Sequence, residues 1–380
     1  MENFTAYNPT KLHFGENIIE DLGATVKNYG TRVLLVYGKG SVKKYGYYDK
    51  VVAQLVGAGL EIFEYSGIKP NPIIEDVRKA TLVGKQNNVD VIVALGGGSV
   101  VDSAKIISLG IPSDEDPWDF MTWKLNPSKA TPLVNVLTLA ATGTEMNAAA
   151  VVQNHSTNQK VGFVNELIFP KDSFLDPAFT ASVPANYTAF GIVDLIAHSL
   201  EAFFGKGEPS IIDQITIDII KDAMKWGPEL MNDLNNVELR AKIMLDATLA
   251  LNGLTIYGKK SGDWAVHGLG HELSLLFDTP HGASLSIAYP AWLKLQKDRI
   301  PERIIKLGNG LFGVDTVDAT IDQLIEFFKK VNSPVSLSEA NIGKDERANI
   351  IEQYSKNNVS GMHHSLSISD HEAIVDYMYL

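Results

Sequence analysis

Short, nearly unbroken apolar runs punctuate the first half of the chain, as in Val33-Leu34-Leu35-Val36 and Val91-Ile92-Val93-Ala94. Fully buried strands read this way, because both of their faces are covered. The pattern predicts strands over 32–37, 60–65, 89–95 and 132–139. Between them, helical spacing predicts helices over 47–58, 73–87 and 100–109; Ile74, Val77 and Leu82 mark the apolar face of the second. This βαβ rhythm predicts a mainly parallel sheet with helices on both faces. The polar segments 110–131 and 153–160 read as loops. After Val183-Pro184 the character changes to long helical patterns, over 189–204, 211–224, 237–252, 263–276, 284–295, 319–331 and 369–378. The expected architecture is an α/β parallel-sheet domain over 1–183, followed by an all-helical domain over 184–380.

A length of 380 residues fits two domains. The net charge of −12 disfavours nucleic acid and anionic membrane surfaces as partners. The sequence contains no cysteine, which excludes disulfides, thiolate ligands and thiol nucleophiles together. The opening residues lack the pattern of a signal peptide, and no apolar run approaches the ~20 residues of a membrane span, so a cytoplasmic location is expected.

Three loops fall at predicted strand C-termini, where parallel sheets bind ligands. Gly96-Gly97-Gly98-Ser99 runs from strand into helix; its glycines let the backbone approach a pyrophosphate, whose charge a helix N-terminus favours. Asp102 follows in that helix, either as a first-turn acid or as a polar contact to a cofactor. Gly38-Lys39-Gly40-Ser41 lacks the acid that usually holds an NAD 2′-hydroxyl, and Lys39, Lys43 and Lys44 suit a 2′-phosphate, so NADP is favoured with NAD possible. Thr142-Gly143-Thr144, with Thr138 and Asn147 nearby, offers further polar groups, and Lys160 lies in a polar turn.

Of nine histidines, His198, His267, His271 and His281 fall in two segments, Asp194-Leu-Ile-Ala-His198 and His267-Gly-Leu-Gly-His271 with His281 ten residues on. Residues four apart share a helix face. Each pair is surrounded by apolar neighbours, and leaving such polar groups buried without partners costs roughly 1–3 kcal/mol apiece. A carboxylate plus imidazoles is a ligand set for a divalent metal, iron or zinc. Glu201 and Glu272 flank the pairs as possible supports for the ligands. His13, His155, His363, His364 and His371 read as core or surface histidines.

These segments resemble the iron-containing (group III) alcohol dehydrogenase family, within it the NADPH-dependent aldehyde reductase and butanol dehydrogenase branch. The resemblance runs from Asn8-Pro-Thr-Lys-Leu-His-Phe-Gly15 through Pro70-Asn71-Pro72, Leu137-Thr-Leu-Ala-Ala-Thr-Gly-Thr-Glu145 and Leu175-Asp-Pro177 to Asp263-Trp-Ala-Val-His267 and His281. It implies a dehydroquinate-synthase-like fold, with a Rossmann-like N-terminal domain, a helical C-terminal domain and a homodimer. It places metal ligands at Asp194, His198, His267 and His281, and at His271 a non-ligand histidine that approaches the nicotinamide, the candidate catalytic residue that relays a proton or orients the nicotinamide ribose. It places cofactor contacts at Gly97, Gly98, Ser99, Asn71, Thr138, Thr142, Asn147 and Lys160. Relatives usually carry three glycines where this chain has Gly38-Lys39-Gly40. The implied activity is hydride transfer between NADP(H) and a small aliphatic aldehyde or primary alcohol. A polyol dehydrogenase is the neighbouring alternative. A dehydroquinate-synthase-like lyase fits less well, because only Lys160 and Lys171 supply cations between 138 and 200. A nucleotide-binding protein with a structural metal is the non-catalytic alternative.

Overall fold

Six strands form one sheet in a computed structural model that describes all 380 residues. They are β1 Lys11–Phe14, β2 Arg32–Gly38, β3 Glu61–Ile68, β4 Val91–Gly96, β5 Leu133–Leu137 and, after a hairpin, β8 Asp172–Leu175. The order across the sheet is β1-β8-β5-β4-β2-β3, and every neighbouring pair is parallel. The hairpin pairs β6 Ala149–Asn154 with antiparallel β7 Gln159–Val164. The apolar runs explain the central strands. Leu34, Val36, Ile92 and Ala94 enter one core, while Val33, Leu35, Val91 and Val93 enter the core on the opposite face. The covering helices are α1 Leu22–Lys27, α2 Ser41–Lys44, α3 Tyr47–Gly57, α4 Ile74–Gln86, α5 Gly98–Gly110 and α6 Pro117–Met121.

The remaining helices are α7 Ala185–Phe203, α8 Ser210–Asn232, α9 Val237–Leu251, α10 Ala265–Phe277, α11 His281–Gln296, α12 Pro301–Phe312, α13 Val317–Lys330, α14 Arg347–Lys356 and α15 Ile368–Met378. No helix is long and apolar enough to cross a membrane. The chain divides into a sheet unit, 7–183 with 235–244, and a helical unit, 1–6 with 184–234 and 245–380. A single cut at 183 does not draw this partition. Glu2 N donates to Gly258 O at 2.8 Å and Phe4 stacks on Tyr257, which ties the first residues to the helical unit. Met244 belongs to the apolar core of the sheet unit.

Several elements differ from the sequence expectation. The segment read as loop over 110–131 contains α6, started by Asp116, whose side chain accepts from Trp118 N, and anchored by buried Trp118 and Met121. The segment 153–160 is not one loop: its ends belong to β6 and β7, and only the intervening turn is irregular, with Asn158 in the left-handed region at φ 53°. β1 and β8 have four residues each, too few for a periodic signal, and α12 and α14 were not anticipated.

The helical unit carries a buried charge cluster. Asp213 is 2% exposed and accepts from Lys259 Nζ at 2.6 Å, Arg303 Nη1 at 2.6 Å and Lys306 Nζ at 2.8 Å. Burial alone would raise its pKa, but the three cations hold the carboxyl well below the usual carboxylate range. The resulting stabilisation is present above the unfolded carboxylate value and is lost as pH falls through the folded one. Asp213→Asn would leave the buried Lys259 ammonium without its carboxylate. We expect a loss of about 3–5 kcal/mol, read as a lower unfolding midpoint. Asp318→Asn, at the exposed Lys297 pair, should leave the midpoint almost unchanged.

Candidate metal centre and dinucleotide cradle

Helix α7 is buried on nearly all sides, and its charged residues Asp194, His198 and Glu201 follow at steps of four and three, one stripe along one face. Helix α10 carries His267 and His271 one turn apart, and His281 is the first residue of α11. Two glycines bring these helices together. A Cβ on Gly282 would lie 2.1 Å from Phe190 O on α7, and one on Gly270 would lie 2.7 Å from Ser284 Oγ on α11. Only glycine allows both approaches.

The close packing gathers the predicted ligands. Asp194 Oδ1 lies 3.5 Å from His198 Nδ1, 3.8 Å from His267 Nε2 and 3.7 Å from His281 Nε2. The donor atoms of Asp194, His267 and His281 all lie within 4.8 Å of one another, and His198 joins the set through Asp194. These separations exceed the ~2.7–3.2 Å of a hydrogen bond. They approach the ~3.4 Å edge of a tetrahedron with ~2.1 Å metal–ligand bonds. Asp194 Oδ1, His198 Nδ1 and His267 Nε2 are buried with no hydrogen-bond partner. The donor set therefore fits a divalent cation, and the orphaned atoms are what such an ion would satisfy.

Electrostatics agree. Burial pushes the His198 imidazole down to about 4 despite Asp194. At His267 burial also lowers the pKa, but Asp194 and Glu201 outweigh it and raise it to about 9. The two carboxylates thus make this point attractive to positive charge.

Glu201 does more than flank the set. Its carboxylate accepts from Trp264 N at 2.6 Å, His267 N at 3.0 Å and His267 Nδ1 at 3.0 Å. Trp264 sits in the left-handed region at φ 67°, which costs a non-glycine residue about 1–3 kcal/mol and persists only when neighbours enforce it. Glu201 enforces it, satisfies first-turn N–H groups of α10 and holds the Nδ1–H tautomer that leaves Nε2 free to ligate. Glu272 faces elsewhere: its Oε2 accepts from Gln353 and Asn357 of α14. Half-buried His271 stands beside the ligands, its ring centroid 5.2 Å from that of His281 and 6.4 Å from that of His267.

In the sheet unit most predicted cofactor residues lie at strand C-termini, whereas Asn147 precedes β6 and Lys160 lies near the start of β7. Gly97 caps α5, whose first-turn N–H groups lack intrahelical partners by helix geometry. Thr138 N donates to Gly96 O at 3.0 Å, and a Cβ on Gly98 would lie 2.8 Å from Thr142 Oγ1, so the two loops touch. Ser99 Oγ donates to Pro70 O, and Lys160 Nζ to Asn71 Oδ1 at 3.1 Å. Gly38 ends β2 and Ser41 opens α2, with Lys39 exposed between them. Lys43 is held by Glu64 at 3.8 Å and lies over the rings of Tyr37 and Tyr48, so its charge is already countered. Asp102 turns inward: its oxygens accept from Thr144 Oγ1 at 2.6 Å and Val151 N at 2.9 Å. Lys105, which sequence reading passed over, sits beside it with no exposed surface. Its position among Ala104, Ile106 and Ile107 was the available signal.

The profile of iron-containing alcohol dehydrogenases matches residues 9–177, and the C-terminal profile of the Fe-containing alcohol dehydrogenase family matches 188–374. The chain is 39% identical over 379 residues to the probable NADH-dependent butanol dehydrogenase 1 of Bacillus subtilis (strain 168), covering 97% of this chain and 98% of the relative. It is 34% identical to the NADPH-dependent aldehyde reductase of Escherichia coli (strain K12), covering 89% of each. The crystal structure of NADH-dependent butanol dehydrogenase A from Thermotoga maritima superposes with a TM-score of 0.97 at 37% identity, over 100% of this chain and 99% of that one. The chain belongs to the iron-containing alcohol dehydrogenase family, and is an NAD(P)-dependent oxidoreductase whose family implies an iron-type metal.

The Glu201 clamp predicts a measurable effect on ion binding. Glu201→Gln keeps the side chain's shape but replaces one acceptor oxygen with an amide facing backbone N–H groups. Affinity of the metal-free protein for added Fe(II) or Zn(II) should fall about 10–100-fold. Wild-type affinity in this variant would remove Glu201 from the ligand-positioning role.

Proposed function

We propose that this chain is a metal-dependent aldehyde reductase and alcohol dehydrogenase, moving hydride between NADP(H) and small aliphatic aldehydes or primary alcohols. The observation that carries the reading is the convergence of Asp194, His267 and His281, with His198 beside Asp194, where the buried Asp194 Oδ1, His198 Nδ1 and His267 Nε2 lack hydrogen bonds. A divalent metal held there supplies a Lewis acid for the substrate oxygen. A nicotinamide dinucleotide held through its pyrophosphate by Gly97, Gly98 and Ser99, with further contacts from Thr138 and Thr142, would supply or accept the hydride. Asp194 contributes the negative charge of the donor set, and Glu201 keeps His267 in its ligating tautomer. His271 moves the proton to or from the substrate oxygen, a role worth ~10²–10⁴ in rate. Iron is the metal the family name supports, and zinc suits the same donors. We assign the chain to a homodimer, which light scattering tests directly.

Cofactor choice has two readings. Exposed Lys39 and the lack of a carboxylate in Gly38-Lys39-Gly40-Ser41 support NADP(H). The NADH-dependent names of the relatives at 39% and 37% identity support NAD(H). Comparing kcat/KM for NADPH and NADH with butanal separates them. We expect NADPH to be preferred, and Lys39→Asp to shift preference toward NADH by repelling the 2′-phosphate.

The metal assignment has its own test. His267→Ala should lower bound metal, measured by elemental analysis, and abolish turnover while the far-ultraviolet circular dichroism is retained. A metal-stripped wild type with full activity would defeat the assignment. For the substrate, reduction of butanal should exceed oxidation of glycerol or 1,2-propanediol in kcat/KM; the reverse order would place the chain among the polyol dehydrogenases.

A further inference from the structure

Lys105 is the one lysine of the sheet unit with no exposed surface. It lies on α5, seven residues past Gly98, and reaches the segment that follows the Thr138–Thr142 loop. Its ammonium donates to Thr144 Oγ1 at 2.8 Å, Asn147 O at 2.9 Å, Asn147 Oδ1 at 2.9 Å and Ala149 O at 2.7 Å. Thr144 Oγ1 in turn donates to Asp102 Oδ1 at 2.6 Å, so one hydroxyl bridges the ammonium and the carboxylate. Asp102 Oδ2 accepts from Val151 N. Asn147 passes the constraint on, because its Nδ2 donates to Gly143 O at 2.9 Å.

The physical consequence follows from charge and burial. A buried ammonium must be surrounded by acceptors, and Lys105 takes all of its own from one short stretch of chain. Apolar packing could tolerate a sliding loop, whereas directed hydrogen bonds from a charged group cannot. Two residues of α5, three apart and therefore on one face, fix 142–147 relative to the helix whose N-terminus begins at Gly98.

We propose that Lys105, with Asp102 and Thr144, is a positioning device for dinucleotide binding: it sets the spacing between the Gly97–Gly98–Ser99 turn and the Thr138–Asn147 loop, and Asp102 serves this latch instead of touching the cofactor. The proposal rests on the reading above that these two loops hold the dinucleotide.

The test uses the full-length, metal-loaded protein and fluorescence titration with NADPH and NADH. Thr144→Val keeps the volume and both charges but removes the bridging hydroxyl, and Thr144→Ser restores it. Lys105→Met removes the ammonium. A spacing error of a few tenths of an ångström to one ångström should raise the dinucleotide Kd roughly ten-fold or more in Lys105→Met. The effect should be smaller but distinct in Thr144→Val, with Thr144→Ser returning to the wild-type Kd. The KM for aldehyde at saturating dinucleotide and the bound metal should stay unchanged, since residues of the helical unit hold the metal. A purely structural role would lower the unfolding midpoint without changing the Kd of the folded protein. An unchanged Kd in folded Thr144→Val, or in folded Lys105→Met, overturns the proposal. If Lys105→Met fails to fold, Thr144→Val and Thr144→Ser decide alone. If wild-type protein binds neither NADPH nor NADH, the assignment of the loops is what has failed.

Discussion

One buried carboxylate, that of Glu201, holds the start of α10, and the placement of His267 in the candidate metal centre depends on it. Its oxygens hold the Trp264 N–H, the His267 N–H and the His267 ring at once. Without this clamp the left-handed turn at Trp264 would relax, and rotation of the first turn of α10 would carry His267 away from Asp194. Glu201 shares a helix face with Asp194 and His198, so α7 supplies two candidate ligands together with the group that aims a third.

The sheet unit repeats the device with opposite charge. Lys105 is a buried cation that ties a loop to a helix, as Glu201 is a buried anion that ties a helix end to a helix. In both, the charged group is satisfied almost wholly by directed hydrogen bonds from one neighbouring segment. A buried charge is costly to leave unpaired, so each arrangement resists small displacements that apolar packing would allow.

The four-residue spacing of Asp194 with His198, and of His267 with His271, was legible because helical geometry turns spacing directly into a shared face. The buried strands of the sheet were legible for a similar reason, since runs such as 33–36 have no polar alternation to conceal. Features made by partners distant in sequence were not legible. Trp264 gives no local sign of a left-handed backbone, because its enforcing acid lies on another helix. Asp102 read equally as a first-turn acid or a cofactor contact, because its inward partners, Thr144 and Val151, come from a later loop and strand. Lys43 looked available to a phosphate until Glu64, Tyr37 and Tyr48 were placed around it. β1, β8 and α6 are too short for periodicity to separate them from loop; sheet pairing maintains the two strands, and the Asp116 cap with buried Trp118 and Met121 maintains the helix.

The contact of Gly282 with the Phe190 carbonyl has a further consequence for ion choice. Main chain pressed on main chain there sets the separation of the two backbones that carry Asp194 and His281, and the side-chain rotamers set the donor spacing within that frame. The imidazole-rich donors of this candidate centre disfavour the hard cations that prefer all-oxygen shells. For a transition-metal ion bound at this candidate centre, the order of intrinsic affinities and the concentrations of free metal the chain meets would weigh in the choice.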